Sequence, residues 1–433
     1  MLIEFRVENH RSLRDEQVFT MQAGRIGNDD DPRPRSVKGH SEQLLPVGVL
    51  YGANASGKSN VLGALQFMRH AVVESLRVWE PDSGVPRDPF AWGPKRTEPS
   101  LFEVTMLIDA VRYQYGFVAS DERFLEEWLR AWPNGKKQIW FERDESDFKF
   151  GEHLKGENKL IEEVTRPNAL FLSAAVQLRH EQLQPIFTWF RRILSFSGPS
   201  RWRTLPYLPS EFFLERLIES EDKNREQLSL FADDDLTDPL LEQFRSLLRS
   251  ADIGILDFRV KRDQPLDPPR RTRRIQFRHQ SAVDDAWLPL DEESRGTQML
   301  FRIGLPILQA MQSGGVVVID ELESSLHPIL AQQIIRLFNE RGTNPRNAQL
   351  IFTTHDTNLL GTTLDEPVLR RDQVWLTEKD TEGATVLYPL TDFKPRKAEN
   401  IERGYLQGRY GAIPIVGGFF FSGGMSRHAE PSP

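Results

Sequence analysis

An eight-residue stretch near the start of the chain limits its possible folds more than any other feature. Residues 52–59 are Gly-Ala-Asn-Ala-Ser-Gly-Lys-Ser, which fits the phosphate-binding loop pattern G-x-x-x-x-G-K-[ST] at every position. The apolar run 47–51 precedes this loop, and apolar residues at helical spacing follow it from Val61 to Leu76. Because the pattern requires a strand, a loop and a helix in this order, the sequence predicts an α/β core that binds a nucleoside triphosphate.

The residue types of the loop suit contact with phosphate. Gly52 and Gly57 permit positive φ and let bare backbone approach an anion. The N–H groups that follow then point at the phosphates, at the positive end of a helix dipole. Lys58 supplies a mobile positive charge, and the hydroxyl of Ser59 is placed to bind Mg²⁺. The predicted nucleotide-binding residues are Gly52, Ala53, Asn54, Ala55, Ser56, Gly57, Lys58 and Ser59. A glycine turn that only caps a helix is the simpler alternative.

A second apolar run ends in two carboxylates. Residues 314–321 are Gly-Gly-Val-Val-Val-Ile-Asp-Glu, a β-branched composition typical of a buried parallel strand. Acids at the C-terminal end of such a strand lie where open α/β sheets bind their ligands. Asp320 is therefore a candidate Mg²⁺ ligand, and Glu321 a candidate to orient or deprotonate an attacking water. An acidic strand end that caps a helix is the alternative, and the presence of Lys58 on a separate strand argues against it.

Composition limits the possible surroundings and partners of the chain. Its 433 residues suffice for one large domain or for two to three ordinary ones. The net charge of −8 gives no overall attraction to nucleic acid, so any such contact needs a local basic patch. The absence of cysteine excludes disulfides and thiol catalysis. No apolar run approaches the ~20 residues that span a bilayer, and residues 1–6 lack the apolar segment of a signal peptide. We therefore expect a cytoplasmic protein without a membrane segment.

The remaining sequence predicts an antiparallel lobe and a helical region. Residues 2–8 alternate as a strand does, and further alternating runs lie between residues 101 and 150, with a hairpin turn at 133–135. Predicted helices occupy 182–196, 211–219 and 239–249. The run at 270–274 contains Arg270, Arg271, Arg273 and Arg274, which could contact nucleic-acid phosphates, although an exposed hairpin end is the commoner meaning of such a run.

Several motifs together resemble ABC-class ATPases, the heads of the SMC, RecF and OLD-like proteins that are often grouped with the AAA family. Asp320 and Glu321 with the following Leu-Glu-Ser-Ser-Leu-His-Pro resemble a Walker B and D-loop segment. Residues 351–356 resemble the next core strand with its switch histidine, and residues 291–298 resemble a degenerate ABC signature. Residues 5–13 resemble the N-terminal strand and turn of RecF-like heads. These motifs occur in the family's order from Leu2 to about Tyr388.

This resemblance implies an ABC-type P-loop ATPase head with a mixed sheet core, an antiparallel β lobe and a helical insertion. It divides the chain into an N-terminal ATPase lobe at 1–165, a mainly helical insertion at 166–285 and a C-terminal ATPase lobe at 286–433. The implied activity is Mg²⁺-dependent ATP hydrolysis by a homodimer or a higher even oligomer. The site residues implied in addition to the P-loop, Asp320 and Glu321 are His355 at the γ-phosphate, Ser294 and Gly296 in the signature, Arg11 and Ser12 at the nucleotide, and Gln177 as a metal ligand of the Q-loop.

The C-terminal stretch 400–414 resembles the tail of stand-alone ATPases from phage-defence pairs of the AbiL/RloA kind. That resemblance implies a separate, nuclease-like effector protein, because only about 80 residues follow His355. A tail that simply closes the domain is the alternative.

The leading hypothesis is therefore an ABC-type ATPase that dimerises on ATP and regulates an effector in bacterial anti-phage defence. A RecF-like DNA-repair ATPase is one alternative, against which the net acidity and the absence of a sustained heptad pattern argue mildly. A nucleotide-sensing scaffold with little turnover is another, and the complete set of Lys58, Ser59, Asp320 and Glu321 argues against it.

Overall fold

The computed structural model describes residues 1–26, 31–196, 239–251, 254–262, 273–283, 285–324, 326–361, 367–396 and 399–414. The strands are β1 (Leu2–Glu8), β2 (Gln17–Thr20), β3 (Val47–Gly52), β4 (Ser100–Ile108), β5 (Val111–Ala119), β6 (Phe124–Trp132), β7 (Gln138–Asp144), β8 (Asp147–Phe150), β9 (Leu194–Phe196), β10 (Ile255–Arg262), β11 (Arg273–His279), β12 (Trp287–Pro289), β13 (Val316–Ile319), β14 (Gln349–Thr353), β15 (Val374–Lys379) and β16 (Thr385–Pro389). The α-helices are α1 (Lys58–Glu74), α2 (Asn158–Val164), α3 (Phe171–Gln177), α4 (Gln184–Arg191), α5 (Pro239–Ser250), α6 (Arg295–Ser313), α7 (Pro328–Asn339) and α8 (Ile401–Leu406).

The central sheet has six strands in the order β16-β15-β3-β14-β13-β9. All neighbouring pairs are parallel except β15 with β16, so the sheet is mixed, with an antiparallel edge. The P-loop strand β3 lies between β15 and β14, and the acidic strand β13 is two places away from it. This arrangement brings the C-terminal ends of β3, β14 and β13 to the same edge of the sheet, where ligands of open α/β sheets bind.

The two faces of the central sheet pack against different layers, as the alternation of side chains along a strand requires. Leu50 of β3 packs with α1 and with the antiparallel sheet. Its neighbours Val49 and Tyr51 pack on the opposite face with α5, α6 and α7. Strand β3 is buried on both faces, which explains its uninterrupted apolar sequence.

A second sheet forms the predicted antiparallel lobe, with seven strands in the order β2-β1-β4-β5-β6-β7-β8. The hairpin turn predicted at 133–135 joins β6 to β7, and Gly135 has the left-handed φ of 74° that such a turn needs. The predicted α/β fold, with a mixed core and an antiparallel lobe, is confirmed. The division of the chain into three regions stays a prediction.

One predicted helix is wrong in its second half. The sequence predicted helix over 182–196, but α4 ends at Arg191 and residues 194–196 form the edge strand β9. The backbone of β9 pairs in parallel with β13, and its Phe196 carbonyl accepts a hydrogen bond from the Asp320 N–H. Pairing with the central sheet therefore overrides the helical pattern here. The helix predicted at 239–249 is confirmed as α5, and that predicted at 211–219 lies outside the described residues.

A third sheet, β10-β11-β12, packs against α5 and α6. The rings of Phe258 and Phe277 in this sheet pack against Phe301 of α6. Of the predicted basic run, Arg273 and Arg274 belong to β11, whereas Arg270 and Arg271 lie outside the described residues. Within the described parts of the chain, no helix combines the length and the apolarity that crossing a membrane requires.

The side chain of Gln349 joins the antiparallel sheet to the central sheet. It is fully buried at the start of β14, and its amide nitrogen donates to the carbonyls of Leu2 (2.9 Å) and Leu45 (3.1 Å). Its amide oxygen accepts the N–H of Leu2. One amide group thus satisfies three buried backbone groups that are distant in sequence.

Replacement of this side chain tests how strongly the two sheets depend on it. Gln349→Ala leaves three buried backbone groups without partners, each of which costs ~1–3 kcal/mol. We expect a loss of at least ~2 kcal/mol, seen as a melting temperature lower by roughly 4 °C or more. Gln43→Ala, at an exposed position, is the matched control and should leave the melting temperature unchanged. Equal melting temperatures for the two variants would contradict this role of Gln349.

Candidate functional site

The P-loop is held by threonines of the neighbouring hairpin. Gly57 has φ 111°, and a Cβ at this position would lie 2.1 Å from the Thr385 hydroxyl oxygen. The Thr385 hydroxyl donates to the carbonyl of Ser56 (2.7 Å), and the Ser56 and Thr377 hydroxyls share a hydrogen bond of 2.6 Å. The loop therefore needs glycine at position 57 for its close approach to β16 as well as for its φ.

Lys58 lies in the mouth of the loop. Its side chain is buried, and its ammonium donates to the carbonyls of Gly52 (2.8 Å) and Ala53 (3.1 Å). Burial lowers the pKa of Lys58 below its usual value, while the nearby carboxylates, Asp320 foremost, oppose that shift. Since its two hydrogen-bond partners are neutral carbonyls, a phosphate can replace them with a gain in electrostatic attraction.

Two strand ends and the first turn of α1 meet at the carboxylate of Asp320. Its Oδ1 accepts hydrogen bonds from the hydroxyls of Ser59 (2.9 Å) and Thr353 (2.7 Å). The Thr353 oxygen in turn accepts the backbone N–H of Glu321 (2.7 Å). The structure therefore brings together the predicted metal ligands Ser59 and Asp320, which are 261 positions apart in sequence.

The donor set at Ser59 and Asp320 suits Mg²⁺. A hydroxyl and a carboxylate are hard oxygen ligands, and proteins commonly bind Mg²⁺ through one or two carboxylates together with water and substrate phosphates. The hydrogen bond between the two side chains places both oxygens within reach of one ion.

Glu321 and His355 flank this pair. Glu321 is exposed and has a left-handed φ of 55°, a conformation rare outside glycine and held here by the bond of its N–H to Thr353. The backbone N–H of His355 donates to the Glu323 carboxylate (2.6 Å). Burial, followed by the positive charge of Lys58, lowers the pKa of His355 below its usual value. This direction favours the neutral imidazole, which donates one hydrogen bond and accepts one.

The structure does not place Gln177 at this site. Gln177 ends α3, and α3 packs on the far end of α1: the Leu76 N–H donates to the Ser173 hydroxyl (3.3 Å). About 16 residues of helix, roughly 24 Å, separate that end of α1 from Ser59. The suggestion that Gln177 binds the metal is therefore wrong.

The predicted residues Arg11 and Ser12 lie beside the first turns of α1. Ser12 accepts a hydrogen bond from Asn60 (2.6 Å) and bonds to the Thr385 hydroxyl (2.7 Å). The guanidinium of Arg11 pairs with Asp88 (3.2 Å). Ser12 thus supports the P-loop through the same threonine that contacts Ser56, and contact of either residue with a nucleotide stays a prediction.

The signature residues lie on a different helix. Ser294 is the N-cap of α6, as the sequence predicted, and its hydroxyl accepts the N–H of Thr297 (3.1 Å). Gly296 lies in the first turn of the same helix. The 19-residue helix is about 28 Å long, packs against β13 and β9, and ends just before β13 begins. It therefore runs antiparallel to β13, and its N-terminus extends past the edge where Asp320 lies.

The threonines that organise the site were not predicted from the sequence. Thr353 was visible only as a residue of a core strand, while Thr377 and Thr385 lie in a hairpin more than 300 positions from the P-loop. A threonine immediately after the apolar part of a parallel strand next to the acidic strand is the one signal that could have identified Thr353.

Together, the P-loop on β3, the paired acids after β13 and the histidine after β14 define an ABC-like P-loop ATPase of the AAA class. Residues 48–361 match a family described as an AAA domain, putative AbiEii toxin, Type IV TA system. Because the match covers well over half of the chain, the protein belongs to this family. The predicted resemblance to ABC-class AAA ATPases is confirmed, and the closer resemblance to the AbiL/RloA kind stays a prediction.

Three similar solved structures are heads of SMC proteins. The SMC head domain from Thermotoga maritima is 12% identical, with a TM-score of 0.39 and coverage of 90% of this chain and 98% of that chain. The SmcHead bound to the C-winged helix domain of ScpA is 11% identical, with a TM-score of 0.46 and coverage of 90% and 99%. The Smc head domain with an extended coiled coil bound to the C-terminal domain of ScpA, from Pyrococcus furiosus, is 12% identical, with a TM-score of 0.36 and coverage of 90% and 97%. No curated protein matches the chain.

The electrostatic link between Lys58 and His355 can be measured directly. Since the charge of Lys58 lowers the pKa of His355, Lys58→Met should raise that pKa toward the ordinary histidine value. An NMR titration of the imidazole signals, assigned with His355→Gln, would measure it. Lys379→Met, on the exposed end of β15, is the matched control and should leave the His355 titration unchanged. A His355 pKa that does not change in Lys58→Met would show that the charge of Lys58 does not act on the His355 imidazole.

Proposed function

We propose that this protein binds and hydrolyses ATP, dimerises when ATP is bound, and regulates a separate effector in bacterial anti-phage defence. The hydrogen bond between Ser59 and Asp320 carries the proposal, because it joins the two halves of a Mg²⁺–nucleotide site from opposite ends of the chain. Glu321 follows Asp320 directly and presents an exposed carboxylate at the same strand end.

In this proposal each side chain has one task. Lys58 leaves the carbonyls of Gly52 and Ala53 and pairs with the outer phosphates. Ser59 and Asp320 would hold Mg²⁺, which would neutralise phosphate charge when bound. Glu321 orients the attacking water and accepts its proton, and neutral His355 hydrogen-bonds to the γ-phosphate. Thr353 acts through the two acids, because it holds the Asp320 carboxylate and the Glu321 backbone in place.

The geometry of α6 supports a dimer. Ser294 and Gly296 lie at a helix N-terminus, which attracts anions, and that end extends past the nucleotide edge of its own sheet. In the described structure, the hydrogen bonds of Ser294 stay within its own helix turn and none reaches the P-loop. A twofold partner would present this helix end to the γ-phosphate of the opposite subunit, so that ATP binding stabilises the closed dimer.

The tail supports coupling to a partner protein. Tyr405 of α8 packs its ring on Tyr51, the residue before the P-loop, with ring centroids 5.6 Å apart. Burial raises the pKa of Tyr405 to about 12, against the effect of a hydrogen bond from the backbone of Gly52. Through these contacts the tail senses the position of the P-loop and can transmit it to an effector. The family description, which names a toxin of a Type IV TA system, is consistent with action in a system of several components.

Contact of nucleic acid with Arg270, Arg271, Arg273 and Arg274 stays a secondary part of this proposal.

Glu321→Gln tests the assignment of the catalytic base. The variant keeps the phosphate and metal contacts, so ATP binding should be retained, while removal of a positioned base should lower turnover by ~10²–10⁴. Phosphate release and ATP titration would measure the two effects. Glu340→Gln, an exposed carboxylate at the end of α7, is the matched control and should hydrolyse ATP at the unaltered rate. Full turnover in Glu321→Gln would remove this role from Glu321.

Ser294→Glu tests the dimer. The added negative charge should repel the γ-phosphate of the partner, so hydrolysis and ATP-dependent dimerisation should be lost while the ATP affinity of the single subunit stays nearly unchanged. Light scattering with ATP and Mg²⁺ would measure the assembly. Ser294→Thr keeps a capping hydroxyl and should behave as the unaltered protein does. A protein that hydrolyses ATP and is monomeric in every nucleotide state would exclude the mechanism.

A further inference from the structure

The order of the central sheet determines where a bound nucleotide must place its base. Asp320 and Glu321 follow β13 and His355 follows β14, so the γ-phosphate end of the proposed nucleotide faces that side of β3. Strands β15 and β16 lie on the other side of β3. The ribose and base must therefore leave the P-loop toward the hairpin of β15 and β16. This step rests on the proposed nucleotide site.

A tryptophan with an exposed ring lies at this hairpin. Trp92 is 55% exposed, although large aromatic side chains are usually buried. Its indole N–H donates to the carbonyl of Glu382 (3.2 Å), and the ring atom Cζ2 lies 3.0 Å from the position of a Cβ on Gly383. The ring of Phe90 packs against it at 4.7 Å. One edge of the indole is therefore fixed to the hairpin, while more than half of the side chain faces solvent.

The hairpin tip that holds Trp92 is itself held firmly. Arg14 pairs with Asp380 (3.1 Å) and also with Glu382, so one guanidinium bridges both acids of the tip. The Lys379 ammonium donates to the Gly383 carbonyl (2.8 Å). A platform built on this tip is preorganised, which reduces the entropy lost on binding.

A short path connects this platform to the P-loop. Gly383 precedes Thr385 by two residues, about 7 Å along an extended chain. The Thr385 hydroxyl contacts the loop at Ser56 and lies 2.1 Å from the Cβ position of Gly57. Trp92 therefore lies beyond the loop on the base side, at a separation that the ribose and α-phosphate of a nucleotide can bridge.

The N-terminal turn lies against α1 and contacts the segment that carries Trp92. Arg11 lies over the second turn of α1, with its Nη1 atom 3.1 Å from the Cβ position of Gly63. It pairs with Asp88, on the same segment as Trp92. The guanidinium of Arg11 thus occupies the space that a side chain at Gly63 would take, and its pair with Asp88 ties this turn to the segment that carries Trp92.

We propose that Trp92 is the stacking platform for the nucleotide base, and that it makes this site select nucleotides over inorganic polyphosphates. Every base has a π-face, so any base can stack on the indole. The ring therefore distinguishes a ligand that has a base from one that lacks it, and does not distinguish one base from another. Removal of one base–aromatic stack typically weakens binding by about tenfold or more. Trp92 acts in binding and has no part in the chemical step.

The test compares a ligand that has a base with one that lacks it. Binding of a non-hydrolysable ATP analogue and of inorganic triphosphate, each with Mg²⁺, is measured by calorimetry on the full chain. Trp92→Ala should weaken binding of the analogue about tenfold and leave triphosphate binding unchanged. Trp92→Phe, which keeps an aromatic face, should bind the analogue nearly as the unaltered protein does. Trp132→Ala, at the hairpin end of β6, is the matched control and should change neither affinity.

A second measurement depends on the ring itself. A base stacked on Trp92 should quench its fluorescence, so the analogue should lower the emission of the unaltered protein more than that of Trp92→Phe, whereas triphosphate should not. Equal analogue affinity in Trp92→Ala and the unaltered protein would overturn the base site and leave the proposed ATPase standing. Equal weakening of both ligands would overturn it also, since Trp92 would then act on the loop. If the unaltered protein binds neither ligand, the proposed function fails together with the base site.

Discussion

The Oδ1 atom of Asp320 accepts two hydroxyl hydrogen bonds, and the arrangement of the core depends on them. Ser59 lies in the first turn of α1 and Thr353 ends β14, so one carboxylate oxygen joins α1 to two neighbouring strands. Hydrogen bonds to a charged acceptor contribute ~1.5–3 kcal/mol each, and a partly buried carboxylate without them would be destabilising. The parallel order of β3, β14 and β13 is what brings the three side chains to one edge. A nucleotide with its metal ion would enter a site whose acid is already oriented.

The sequence was most informative where function depends on consecutive residues. The P-loop and the acidic strand end are local patterns with a strand before them, and the structure places Lys58, Ser59 and Asp320 together as such patterns require. Contacts over long sequence distances were not predictable in this way. Thr385 contacts Ser56 across 329 positions, and nothing in either local sequence indicates it.

The errors have identifiable physical causes. The three residues of β9 followed a helical pattern, and only pairing with β13 makes them a strand. Gln177 was proposed from the resemblance to the family's Q-loop, yet α3 packs at the end of α1 that is remote from the loop. In each case tertiary pairing decides what local propensity leaves open.

The hairpin of β15 and β16 connects the functions proposed for the site. Thr377 and Thr385 hold the P-loop backbone, and the tip beyond Thr385 holds Trp92. On the other face of the same strands, the tail accepts hydrogen bonds from this hairpin: the Tyr388 hydroxyl donates to the Tyr410 carbonyl (3.0 Å). A shift of the loop on nucleotide binding therefore cannot remain local, because close-packed elements move as units. The same hairpin therefore links the P-loop to the tail. A partner protein bound to the tail would thus respond to the occupied nucleotide site without contacting the nucleotide.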